Sequence, residues 1–246
     1  MSQSFTRRSA LAGAAAGSGL LLSGCDSNTG LIRSAEGLNQ LVQTTLAGDS
    51  LAREYALSER SPVFRTNGNT MPDSPDYARH LADNFASWRL VIDGLVERPQ
   101  SLSLAQLLGL PSRTQVTRHD CVEGWSAIGQ WTGTPLGLLL RLAGPRANAR
   151  YAVFHCADTF SGRPYYESID LAEAFHAQTI LAWAMNGARL PVGHGAPLRL
   201  RVERQLGYKQ AKYIMRVELR ESLTDLYGGK GGLWEDLAGY EWYAGI

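Results

Sequence analysis

Cys121 is the residue whose surroundings suggest the most chemistry, because Arg118 and His119 precede it and cationic neighbours favour the deprotonated sulfur that binds soft metals. A cysteine at a strand end also serves as a small buried hydrophobe, so both readings stand for this residue taken alone. The chain has two further cysteines, Cys25 and Cys156. Cys25 follows Leu22-Ser23-Gly24, which resembles the lipobox cleaved before a lipidated cysteine. With Cys25 given to a lipid, Cys121 and Cys156 are too few for a disulfide framework; one disulfide between them and metal ligation by an unpaired thiol both remain open. Arg199, Lys212, His194, Asp158 and Asn67 are the other polar groups of interest. Singly, they read as solvated strand charges, a loop histidine and turn residues.

The elements that must position these groups are short. Gln115 to His119 reads as a strand leading to Cys121, and Thr134-Pro135 opens a helix from Leu136 to Leu142 with Pro at its first position. Upstream, Val63 to Thr66 is expected as a short strand, followed by a loop from Asn67 to Pro75 rich in turn formers. Trp88 to Ile92 is β-rich and ends at Asp93-Gly94, while Ser103 with Gln106 forms a capping box for a Leu-rich helix. Downstream, Tyr151 to Cys156, Tyr165 to Ile169 and Ile180 to Met185 read as strands. Asp170 caps a helix through Phe175, and Asn186-Gly187 signals a hairpin. Leu198 to Val202 and Tyr213 to Leu219 are the last strands. Short mixed elements predict an α+β domain with irregular sheets, and no Gly-rich phosphate loop follows a strand as a nucleotide-binding parallel sheet requires.

The ends and the charge set the context. Residues 1–25 read as a processing segment: Arg7 and Arg8 precede an uncharged run from Ser9 to Gly24, too short and too rich in Gly and Ala for a membrane span. Thr6-Arg7-Arg8-Ser9-Ala10-Leu11 resembles a twin-arginine signal, the export route for proteins folded around a cofactor. Residues 26–60 read as a tether and helical lead-in, and residues 61–246 as one domain. The expected location is periplasmic or otherwise extracytoplasmic, attached to a membrane only through the lipid at Cys25. A net charge of +1 with scattered signs leaves no footprint for nucleic acid.

Several ordered segments resemble the molybdopterin domain of the sulfite oxidase family, most of all its bacterial single-domain exported members. They begin with Trp88-Arg89-Leu90-Val91-Ile92-Asp93-Gly94-Leu95-Val96, then Pro99 and the helix from Leu102 to Leu108. Cys121-Val122-Glu123-Gly124-Trp125 and Trp131-Thr132-Gly133-Thr134-Pro135-Leu136 resemble the segment around the family's metal cysteine. Met185-Asn186-Gly187, His194-Gly195-Ala196-Pro197-Leu198-Arg199 and Gly207-Tyr208-Lys209-Gln210-Ala211-Lys212 resemble its later cofactor segments. The resemblance implies a sulfite-oxidase-type fold and a molybdenum-molybdopterin cofactor whose metal takes the Cys121 thiolate. It further implies that Arg199 and Lys212 hold the phosphate with backbone help from Gln210 and Ala211, that His194 and Asp158 address the pterin, and that Asn67 lies in the loop near the metal. Tyr240 falls roughly where the family places a tyrosine beside the metal, although its spacing from Trp234 carries a one-residue insertion; Tyr243 is the alternative.

The departures bear on substrate. Where sulfite-oxidizing members carry substrate-binding arginines, this chain has Thr66 and, at about the second place, Ser126; Arg65 or Arg118 is left to compensate, and Arg118 is a candidate catalytic residue for that reason. Two missing cations weaken the case for a dianion, since each charged hydrogen bond is worth about 1.5 to 3 kcal/mol. The chain is also expected to form one domain, without the second, dimer-forming β domain of sulfite oxidases. The expected function is therefore oxygen-atom transfer on an oxidised sulfur or nitrogen group, small or protein-borne, such as methionine sulfoxide. Sulfite-type oxidation, a non-catalytic lipid-anchored binding module and a disulfide-linked structural lipoprotein are the alternatives. With no haem-attachment or Fe–S cysteine set in the chain, electrons are expected from a separate protein, a membrane or periplasmic cytochrome.

Overall fold

Leu90 and Ile92 alternate with more exposed neighbours along Arg89–Gly94 (β1), so one face of this strand enters the core. The structure is a computed structural model describing residues 50–246. The signal-like segment, Cys25 and most of the tether lie outside the described residues. Strand β1 pairs antiparallel with Gln100–Ser103 (β2) and parallel with Ile214–Arg220 (β10). Next to β10 lie Tyr151–Phe160 (β5) and Arg163–Asp170 (β6), giving the sheet order β2-β1-β10-β5-β6. The second sheet runs β3-β4-β7-β8, from Arg113–Cys121 (β3) and Trp125–Pro135 (β4) to Ile180–Met185 (β7) and Ala188–Arg189 (β8). Arg199–Arg201 (β9) adds to β7. Among the described residues five short α-helices, Pro75–Ala82 (α1), Leu104–Leu108 (α2), Leu136–Ala143 (α3), Leu171–Phe175 (α4) and Leu233–Ala238 (α5), join or flank these strands. The domain is α+β, as the sequence suggests.

Helix α3 buries Leu136, Leu139, Leu140 and Ala143 in the main apolar cluster, with Leu90 and Ile92 from β1, Trp88 just before it, and Leu198, Leu200 and Val202 around β9. Each such leucine contributes about 1.5 to 3 kcal/mol by leaving water. A second cluster of Trp131, Ile180, Ala182, Met185 and Leu190 packs against Phe64.

Local signals translate well where they are self-contained. Ser103 and Gln106 cap α2 reciprocally, and the Asp170 side chain accepts from the Glu173 amide at the start of α4. Pro135 is the N-cap of α3 and not its first residue. No strand forms at Val63 to Thr66. There the chain is anchored by a side chain: the Phe64 ring sits 5.3 to 5.9 Å from those of Trp131, His119, His194 and Trp125. Strand β5 runs past its expected end at Cys156, and its register with β6 slips between His155 and Thr159. Around this irregularity Asp158 is buried while Thr159 and Phe160 are exposed.

Candidate active site

Cys121 ends β3 and opens the tight turn to β4, where the Gly124 amide donates to the Cys121 carbonyl at 3.0 Å. Alternation along β3 turns Gln115, Thr117, His119 and Cys121 inward. Arg118 and Asp120 therefore project from the other face, where Arg118 pairs with Asp120 at 2.9 Å and lines a separate shallow pocket with Tyr55 and Ile246. This corrects the expectation for Arg118: it neither faces the Cys121 cavity nor favours the thiolate. Burial instead pushes the Cys121 thiol up; the Glu123 backbone amide opposes this, the Glu123 charge adds to the rise, and Arg199 opposes it. His119 is held neutral by burial and by Arg201 and Arg199. Cys121 and Cys156 are both free, so the disulfide alternative is not realised.

A cavity of about 170 Å³ opens at Cys121. Its polar side is formed by Asn67, Asn69, Glu123, Asp158, Gln210 and Lys212; its other wall is aromatic, with Phe160, Tyr165, Tyr208, Trp234 and Tyr240. The loop from Asn67 is tied down by Lys212, whose ammonium donates to the carbonyls of Asn67 (2.6 Å), Asn69 and Gly193 (3.0 Å). The Asn69 side chain donates to Asp158 at 3.0 Å and to the Thr159 carbonyl at 2.8 Å. Glu123 accepts from the Trp125 indole at 3.0 Å and, more weakly, from the Gly68 amide at 3.4 Å. The rings of Trp234 and Tyr240 stack at 6.1 Å, with Phe160 beyond Trp234 at 4.7 Å and Tyr208 beside Tyr240 at 5.0 Å. Tyr240 thus lines the cavity, whereas Tyr243 is directed at Glu173, 3.4 Å away.

Arg199 lies deeper and is fully buried. Its guanidinium is stacked 4.9 Å from the Trp131 ring centroid and donates to the carbonyls of His194 (3.0 Å) and Gln210 (3.4 Å). Neighbouring Arg201 has Glu203 as its counter-ion, but among the described residues no carboxylate forms an ion pair with Arg199. Burial and Arg201 push the Arg199 pKa down. His194 is lowered to about 4, by burial and then by Arg199 and Lys212. Backbone pairing joins the segments, since the Leu200 amide donates to the Ala211 carbonyl at 2.8 Å. Glycine is required at two points. Gly195 has φ +109° and leaves no room for a Cβ, which would lie 2.9 Å from that of Lys212; a Cβ on Gly207 would meet the His119 ring at 2.5 Å.

The fit of these residues to a polar cofactor can be tested by asking which buried polar atoms lack a partner. Asn67 Oδ1, Asp158 Oδ1, His194 Nδ1, Arg199 Nε and Gln210 Oε1 are all buried without one, and buried polar groups are ordinarily satisfied. Other such atoms occur on Glu167, Glu173, Glu235 and several further residues, but Asn67, Asp158 and Gln210 line the cavity itself, and Arg199 joins the carbonyls of Gln210 and His194 behind it. Among the described residues no group of three His, Cys, Asp or Glu side chains could hold a metal. A metal at Cys121 therefore needs most of its ligands from a cofactor, as a dithiolene-bearing pterin provides. The residues fit the group. Asn69, Glu123, Tyr165, Tyr208, Phe160 and Trp234 also line the site and were not singled out in the sequence. Glu123 and Tyr208 lay within the matched segments, and Trp234 only six residues before Tyr240.

Lys212 supplies a pH test. Burial and Arg199 push its ammonium down to about 7, with Asp158 opposing, while in the unfolded chain a lysine keeps its proton to about 10.4. Between roughly pH 7 and 9 the unfolded state therefore binds more protons at this residue, so its contribution to cofactor-free stability rises with pH. Denaturant unfolding at pH 7 and 9 is expected to show a gain in the native protein, relative to Lys212→Met, that the variant lacks; equal pH dependence in both would overturn the assignment.

Comparison with known proteins agrees with the geometry. A family model described as oxidoreductase molybdopterin binding domain matches residues 78–227. The chain is 46% identical over 160 residues to a putative protein-methionine-sulfoxide reductase subunit YedZ1 of Azospira oryzae, covering 65% of this chain and 56% of that protein. It is 36% identical over 185 residues to the protein-methionine-sulfoxide reductase catalytic subunit MsrP of Xanthomonas axonopodis pv. citri, covering 71% and 55%. The chain thus spans about half the length of the curated relatives it matches. Among solved structures, the sulfane dehydrogenase SoxCD from Paracoccus pantotrophus aligns with a TM-score of 0.52 at 24% identity, over 56% of this chain and 39% of that one. The fold is of the sulfite-oxidase molybdopterin type.

Proposed function

The chain belongs to the molybdopterin-binding oxidoreductases, and from that premise we propose that its cavity takes the oxygen atom from an oxidised sulfur group of the methionine-sulfoxide kind. The molybdenum-molybdopterin cofactor, when bound, supplies the two-electron chemistry. Cys121 is its protein ligand to the metal. Arg199 and Lys212, with the backbone of Gln210 and Ala211, hold its phosphate, and Asn67, Asp158, His194 and the Gln210 amide satisfy its polar edge. The aromatic wall receives the substrate's thioether carbon and sulfur, which make favourable contacts with aromatic rings. Tyr240 donates a hydrogen bond from its hydroxyl to the substrate's oxygen. Net, a sulfoxide takes up two electrons and two protons and leaves as a thioether and water. The relatives named as methionine-sulfoxide reductases support this substrate class, and a separate electron-carrying protein is the donor.

One observation favours a neutral sulfoxide over sulfite. Among the described residues Lys212 is the only basic side chain lining the cavity, this reading commits it to the cofactor's phosphate, and the acidic Glu123 and Asp158 line the cavity with it. Neither Arg65 nor Arg118 lines it, and Ser126 donates to Asp120 on the far face of β3. Two absent charged hydrogen bonds correspond to about 100-fold or more in affinity for a dianion. Steady-state kinetics with an artificial electron donor and methionine sulfoxide, against sulfite with an electron acceptor, are expected to give kcat/KM at least about 100-fold higher for the sulfoxide. A preference for sulfite would overturn the reading.

The same reading places the mature protein outside the cytoplasm, lipid-anchored at Cys25, supported by the Arg7-Arg8 pair and the Leu22 to Cys25 segment. Labelling with a radioactive fatty acid is expected to mark the native protein and not Cys25→Ala; equal labelling of both would remove the anchor.

A further inference from the structure

Lys209 is fully buried, and its ammonium binds two carboxylates from different elements, Glu167 on β6 and Glu235 on α5, the latter at 2.7 Å. Both glutamates are themselves buried. Lys209 stands between Tyr208 and Gln210, and Glu235 follows Trp234. One ammonium therefore joins the segment that lines the polar side of the cavity to the helix that builds its aromatic wall. Burial and the nearness of Glu235 push the Glu167 carboxyl well up, and the Lys209 ammonium donates to Glu235 at 2.7 Å. Other contacts of this region run elsewhere. Asp236 accepts from the Tyr166 hydroxyl and from the amides of Gly228 and Lys230, and the Trp242 indole donates to Ser168, tying the helix region to β6 and to the preceding glycine-rich loop. The Tyr208 hydroxyl donates to the Glu241 carbonyl, a second tie between the Lys209 segment and the chain just beyond Tyr240.

We propose that the Lys209 and Glu235 pair is a latch that holds Trp234 and Tyr240 against the cavity, so that both residues position the substrate-binding wall without touching substrate. The kinetic consequence rests on the sulfoxide reading above; the mechanical one does not. An apolar leucine at position 235 removes the latch while leaving Lys209 paired with Glu167, whereas glutamine keeps an acceptor oxygen for the ammonium.

Cofactor-loaded Glu235→Leu is expected to raise KM for methionine sulfoxide about ten-fold with kcat within about three-fold, molybdenum content being unchanged. Amide hydrogen exchange is expected to quicken about ten-fold in residues 233–240 and not in β1 or β10, and Glu235→Gln is expected to restore both values to within about three-fold. Unchanged exchange in residues 233–240, or loosening that spreads to β1 and β10, would overturn the latch, as would local loosening with an unmoved KM. If leucine prevents folding, Glu235→Ala is read against the same outcomes. Should the native enzyme reduce no sulfoxide at all, the substrate reading fails by itself, and the exchange result alone decides the latch.

Discussion

Cys121→Ala is expected to lower turnover at least about 1,000-fold while leaving the domain folded and its pterin largely retained. Two consequences of one structural fact separate here. Cys121 is the sole thiol at the cavity, and no other His, Cys, Asp or Glu cluster among the described residues offers the metal a substitute. Losing the thiol would alter the electronics and coordination of a metal held there, which are what the protein contributes to cofactor chemistry. The stability cost is small, because only one sulfur atom leaves a position that is nearly buried and borders a cavity. About 1 kcal/mol is the scale for deleting one such group, which for a domain of this size is a drop in Tm of about 2 to 4 °C. Pterin remains bound through Arg199, Lys212 and the polar groups facing the site. Steady-state assays, metal and pterin analysis and thermal unfolding check the three parts; retained turnover, or loss of folding, would contradict the role assigned to Cys121.

What could be read from the sequence was mainly what is local. Ile180 to Met185 and the Ser103 capping box follow from apolar runs and spacing over a few residues, and the structure reproduces both. The site was legible as types of residue in order: Asn67, Cys121, Asp158, Gln210, Lys212 and Tyr240 meet around one cavity. Arg118 is instructive, because the sequence already carried its correction. It stands three residues from Cys121 on a strand, and a period of two puts residues an odd number apart on opposite faces. Asp158 shares the parity of the buried Ala152 and Phe154, but it lies within a register slip against β6 that no local pattern in β5 announces. The aromatic wall was illegible for the same reason: Phe160 and Trp234 come from a strand end and a distant helix, and only long-range packing stacks them with Tyr240.

The charge state of the site was also beyond the sequence, and it leads to a second large effect. Arg199 reads as a solvated strand residue, yet it is fully buried with a tryptophan ring and two carbonyls for company and no paired carboxylate. Removing a cation from water without a counter-ion costs several kcal/mol, so the cofactor-free domain is destabilised by its own arginine. An anionic phosphate reverses the sign, because a charge-assisted bond at this depth is stronger than one in water. Arg199→Met, similar in length and free of charge, is therefore expected to raise the stability of cofactor-free protein by at least about 1 kcal/mol. It is also expected to reduce bound cofactor after purification at least about ten-fold. The depressed Arg199 pKa gives the direction with pH: the stability advantage of the variant is full at neutral pH and shrinks as alkali discharges the native guanidinium. Denaturant unfolding of the two cofactor-free proteins, beside their pterin and molybdenum contents, makes the test. A variant that loses stability without cofactor would make Arg199 a structural cation; one that gains stability but keeps its cofactor would move phosphate binding to other residues.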